Sequence, residues 1–167
     1  MRTKAQIWSL DIMAGIVLFL VGIIIFFTYS VNQSSQAEDN LGRLYYDGNI
    51  IADNLLSEGY PTNWNTENVV TLGLTTSKKI NQTKLENLYE MIYIQNNYTE
   101  TKNILNTEYE YYILLNEDMT INSNQIEGIG KPGVTSQNIT SQNLIKITRY
   151  TIYQNKTTPL YLYIWQE

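Results

Sequence analysis

One carboxylate, Asp11, stands at the head of Ile12 to Phe27, sixteen consecutive residues with no charged or strongly polar side chain. A charge beside lipid is costly unless it is paired or held at the interface. Ser9 or Asp11 can cap a helix there, where a carboxylate also meets the positive end of the helix dipole. Five asparagines, Asn32, Asn81, Asn97, Asn138 and Asn155, lie in Asn-X-Ser/Thr sequons that an outward-facing chain offers to N-glycosylation. Other groups carry less chemistry. Asn116, Glu117 and Asp118 could touch calcium, but without a regular acidic loop they read as a solvated turn. GIGKPG, residues 128 to 133, lacks the frame of a phosphate loop and reads as a surface turn. Tyr109, Tyr111, Tyr112, Tyr150, Tyr153, Tyr161 and Tyr163 could stack sugars, although cross-strand packing explains them more simply. With no cysteine and no histidine, thiolate zinc sites, cysteine nucleophiles and histidine triads are excluded. No grouping of nucleophile, base and oxyanion donors is visible, so the expectation is no enzyme, no metal and no cofactor.

The elements that must carry these residues follow from hydrophobic patterning. Ile7 to Tyr29 is a 23-residue stretch with Asp11 as its only charge; at about 1.5 Å per residue it spans roughly 34 Å, enough for a transmembrane helix in contact with the lipid bilayer. Arg2 and Lys4 precede it and no basic residue follows until Arg43, which predicts a cytoplasmic N-terminus and an extracellular C-terminal part. A cleaved secretory signal ending near Ser35-Gln36-Ala37 is the competing reading. From Glu38 to Glu58 the apolar residues Leu41, Leu44, Tyr45, Ile51, Ala52, Leu55 and Leu56 recur at helical spacing, and Gly59 and Pro61 supply a stop. One long helix over about 9–58 is expected. Asn81 should cap a helix holding Leu85, Leu88, Tyr89 and Ile92, with a further short helix near 99–105. Residues 109–115, 144–153 and 159–165 read as antiparallel strands, the first closed by the turn residues of NEDM, 116–119. In the last strand Leu160, Leu162 and Ile164 share one face, expected to meet the long helix. The fold class is therefore α+β: a transmembrane helix continuing into an amphipathic helix packed on a small antiparallel sheet. Net charge is −5, and residues 12–167 hold nine basic and fifteen acidic side chains, which argues against a nucleic-acid partner.

At KAQIWSLD, residues 4–11, the sequence resembles the class III signal of archaeal type IV pilin-like and pseudopilin-like proteins. The resemblance implies a basic Lys4, a small Ala5, cleavage before Gln6 by a prepilin peptidase, and an acid, Asp11, inside the mature helix. Ala and Asp stand where Gly and Glu are usual, and Asp11 lies at the sixth mature position where the fifth is typical. GYPTNWNTENVVTLGL, residues 59–74, NLIKITRY and the closing PLYLYIW look similar to segments of the same group. The implied layout is a 1–5 leader, a 6–29 transmembrane helix, its 30–58 extension and a 59–167 outer domain. The implied function is a structural or accessory subunit of a pilus-like filament, self-assembling or joining other pilin-like subunits, with Asp11 pairing to the new N-terminus of a neighbour. The alternative is an anchored envelope protein that never polymerises and binds glycan or protein through its outer domain.

Overall fold

A computed structural model describes residues 3–141 and 143–166, with side chains at 11–30, 40–115, 119–141 and 143–166. The chain divides into two compact units, Met1–Gly42 and Arg43–Glu167. Helix α1, Thr3–Leu55, forms the described part of the first and enters the second. In the first unit the span Asp11–Ser30 is long and apolar enough to cross a membrane, and none of it is buried. Leu18 and Phe26 are 73% and 70% exposed. The hydroxyl of Thr28 donates to the carbonyls of Ile24 and Ile25 at 2.9 Å, so the helix itself satisfies this polar group.

In the second unit the remaining turns of α1 bury Leu44, Ile51, Ala52 and Leu55. Gly48 completes that stripe at the helical spacing of four and three. Tyr45, expected in the stripe, is exposed because it follows Leu44 by one position and turns to the flank; Leu41 is exposed as well. The helix ends at Leu55, three residues before the expected stop, and Gly59 takes φ +70°. Strands β1 (Thr75–Thr76) and β2 (Lys79–Ile80) precede α2, Gln82–Tyr89. Asn81 caps α2 as expected, its side chain accepting from the Lys84 amide at 3.3 Å. A π-helical turn, Glu90–Ile94, and α3, Tyr98–Ile104, follow. Leu85, Leu88 and Ile92 are buried as the pattern requires, with Tyr89 packed at the core margin.

The last third supplies β3 (Glu110–Ile121), β4 (Asn124–Gly130), β5 (Leu144–Tyr153) and β6 (Lys156–Trp165). They complete a six-stranded sheet in the order β1-β2-β5-β6-β3-β4. The sheet is mixed and not wholly antiparallel, because β2 runs parallel to β5 at Lys79 and Ile152. NEDM does not close β3; the strand absorbs it in a register shift between Leu114 and Met119. GIG, read as part of a turn, is strand β4, and only the following Lys131-Pro132-Gly133 bends. The hairpins turn elsewhere. Ser77-Lys78, Asn122-Ser123 and Gln154-Asn155 each have both φ values between 49° and 69°, the two-residue pattern whose twist matches paired strands.

Ile113, Leu115, Ile147, Leu160, Leu162 and Ile164 form the buried sheet face. Gly48 lets α1 approach it: a Cβ there would stand 2.5 Å from Ile147 Cδ1 and 3.0 Å from Ile164 Cγ2. At the rim Arg149 of β5 donates to Asp53 Oδ1 at 3.0 Å and Asn49 Oδ1 at 2.8 Å. A Cβ on Gly73 would instead strike the backbone of Ser57, Glu58 and Gly59, which has no soft degree of freedom. Gly73→Ala is therefore expected to cost about 2 kcal/mol or more. Gly48→Ala should stay within about 1 kcal/mol, because the Ile147 tip can move and helix propensity improves. Urea titration of both variants checks the order; equal losses would refute it.

Candidate functional site

Asp11 is exposed on the apolar span of α1. Lys4, Ala5 and Gln6 are in the helical backbone, but their side chains, like that of Asn32, lie outside the described residues. So do those of Asn116, Glu117 and Asp118. Among the described residues no group of three or more His, Cys, Asp or Glu is placed to hold a metal ion.

The four remaining sequons differ in what their amides already do. Asn81 is half-buried, capping α2 and donating to Thr76 Oγ1 at 3.0 Å. Asn138 is exposed, but its amide accepts from Thr135 N at 2.6 Å and donates to Gly133 O at 3.2 Å. Asn97 is exposed and makes no cap bond to α3. Asn155 is exposed at the tip of the β5–β6 hairpin. Asn97 and Asn155 therefore present the amides whose modification would disturb the fold least.

The tyrosines separate by strand parity. Tyr111 and Tyr153 enter the core. Tyr111 shares a 2.5 Å hydrogen bond with Thr101 Oγ1, and its amide donates to the Tyr98 hydroxyl at 3.0 Å. Burial pushes the phenols of Tyr98 and Tyr111 well above their usual range. On the opposite face the register places Lys146, Tyr163 and Tyr112 in one row and Thr148, Tyr161 and Leu114 in the next. Tyr112 is buried, Tyr161 and Tyr163 are half-buried and Tyr150 is 72% exposed. The Lys146 ammonium stands 3.9 Å from the Tyr161 ring centre and 5.3 Å from that of Tyr163.

Two charged groups, one buried and one partly buried, escaped the sequence pattern. Lys84 is 3% exposed and donates to the carbonyls of Glu58 at 2.7 Å and Thr75 at 2.8 Å. Burial lowers its ammonium pKa, with the Glu58 charge acting the other way. It lies at the wall of a cleft of about 460 Å³ that also includes Trp64 and Thr62. A second, polar cleft of about 550 Å³ lies between Arg43 and Asp47 of α1 and the Asn106 to Tyr109 loop. Glu110, partly buried, accepts from Lys102 at 2.7 Å and lies 3.5 Å from Lys131. A lysine 26 positions after Glu58, or a glutamate opening a strand, carries no sequence mark of burial. The one legible signal was the alternation of Lys146 with threonine and tyrosine along β5.

Burial alone would raise the Glu110 pKa, but hydrogen bonds from Lys102 and Tyr98 and the charges of Lys102 and Lys131 outweigh it and bring the carboxyl below its ordinary value. A carboxyl depressed in the folded state stabilises it above the ordinary value of 4.5 and loses that contribution as pH falls below it. Glu110→Gln is expected to cost about 2 kcal/mol at pH 7 and to flatten the loss of stability between pH 5 and about 3. Chemical denaturation across that range checks both; an unchanged acid slope would refute the assignment.

Fold and surface together define an α+β protein with one N-terminal apolar helix long enough to cross a bilayer. Comparison with protein-family models, curated proteins and solved structures finds no match to this chain.

Proposed function

We propose that the chain is a pilin-like subunit, a structural or accessory component of a pilus-like filament, anchored by its N-terminal helix with the N-terminus cytoplasmic and the α+β domain outside. The observation that carries this reading is α1 itself, an uninterrupted 53-residue helix. Its span Asp11–Ser30 is apolar and exposed, and its last turns are core of a sheet domain. A helix exposed all round with apolar side chains needs lipid or other helices as its solvent. The same helix serves both states: lipid surrounds it before assembly and copies of itself surround it afterwards.

In this mechanism a prepilin peptidase cuts between Ala5 and Gln6, creating an α-amine. Asp11 of a neighbouring subunit then pairs with that amine where water is scarce, so that neither charge is left uncompensated. The chain does no covalent chemistry of its own, and its work is packing and display. The competing reading is a permanently anchored envelope protein whose outer domain binds glycan or protein.

The mature N-terminus separates these readings. Intact-mass measurement and N-terminal sequencing are expected to give Gln6 first; an intact Met1, or a start at Glu38, would contradict the proposal. Asp11→Ala is expected to insert normally and to abolish filaments, and unchanged filaments would remove the pairing role.

A further inference from the structure

No Asp or Glu occurs between Glu127 and Glu167, while Lys131, Lys146, Arg149 and Lys156 all fall there, in a protein whose net charge is −5. The β5–β6 hairpin is thus a cationic segment of an acidic chain. Arg149 is spent on Asp53, and Lys131 stands at Glu110. Lys146 is exposed and stacks on tyrosine rings, with no carboxylate partner among the described residues.

The sheet face that carries it is aromatic and is open along β5, where Lys146, Thr148 and Tyr150 are exposed, while Tyr161 and Tyr163 are half-buried. Register puts Lys146 beside Tyr163 and Thr148 beside Tyr161 on the face opposite the core, with Tyr150 two positions further along β5. The face of a tyrosine ring is negative and attracts positively polarised groups. In the free protein the Lys146 ammonium fills that role over both rings. A sugar offers the same chemistry, because C–H groups next to electronegative oxygens present a polarised, ring-sized surface. Its hydroxyls suit Thr148, and a carboxylate or sulfate on it would meet the displaced ammonium.

We infer that the exposed face of β5 and β6 is a binding platform for an anionic polysaccharide, with Tyr161 and Tyr163 stacking sugar rings and Lys146 pairing with the acid group. This surface requires neither cleavage at Gln6 nor assembly, so its test is independent of the filament proposal.

The full chain, in detergent micelles, is titrated by calorimetry with oligogalacturonate and, separately, with a neutral oligoglucan of equal length. The expected result is binding of the uronate at least tenfold tighter than of the glucan, weakening as salt rises. Lys146→Ala and the Tyr161→Ala/Tyr163→Ala pair should each weaken uronate binding at least tenfold. Circular dichroism should confirm that each variant keeps the native fold. Lys146→Gln, which keeps the chain length without the charge, should bring uronate affinity down to that of the glucan. No uronate binding, or binding indifferent to Lys146→Gln, would overturn the inference. So would a concentration-dependent dimer lost on Tyr150→Arg, which would mark the face as a contact between copies.

Discussion

The α+β domain depends on how the end of α1 is satisfied. A helix terminus leaves carbonyls without intrahelical partners, and a buried one must find them elsewhere. Here Leu74 N donates to Leu55 O at 2.7 Å, Thr75 Oγ1 to Leu56 O at 2.9 Å, Thr75 N to Ser57 O at 3.1 Å, and Lys84 Nζ to Glu58 O at 2.7 Å. Four successive carbonyls are thus closed by one short segment and one lysine. The close backbone passage at Gly73 exists because those bonds demand it. The clamp stops the helix, starts β1 and draws α2 against the helix end, so the sheet is built outward from a single junction.

Burying an ammonium to do this is costly, and the direction of the Lys84 shift records the cost. It is tolerated because one ammonium satisfies two carbonyls at once, those of Glu58 and Thr75. Arg149, by contrast, reaches α1 at the exposed rim, where an ion pair contributes little. Hydrophobic seating of Leu44, Ile51, Ala52 and Leu55 against the sheet supplies most of the adhesion, and the polar clamp fixes where it stops.

Much of this was legible in the residues. The apolar span, the Asn81 cap, the Leu85–Leu88–Ile92 stripe and the alternation of Leu160, Leu162 and Ile164 all express local periodicity, which a sequence displays directly. The β5–β6 turn falls between the two expected strands, but the other two hairpin turns did not announce themselves, because Ser-Lys and Asn-Ser fill positions where glycine is the usual signal. The parallel pairing of β2 with β5, the burial of Lys84 against the Glu58 carbonyl and the approach of Lys131 to Glu110 join residues far apart in the chain, so no local pattern encodes them. Gly48 was visible as a glycine in a helix, yet its reason, the nearness of Ile147 and Ile164, lies on another element. The outer tyrosine face was partly legible; the seven tyrosines were expected together, and strand parity divides them between core and surface.

The central claim is that one helix is first a membrane span and then a filament core. The native chain has no cysteine, so cross-linking can be placed at will. Ile16 and Leu18 are two residues apart, about 200° around the helix, and both are exposed. In the double variant Ile16→Cys/Leu18→Cys, oxidised in the native cells, side-by-side packing of α1 predicts a ladder of dimers, trimers and higher covalent multimers. Monomer alone, under conditions where both thiols prove reactive, would contradict the account.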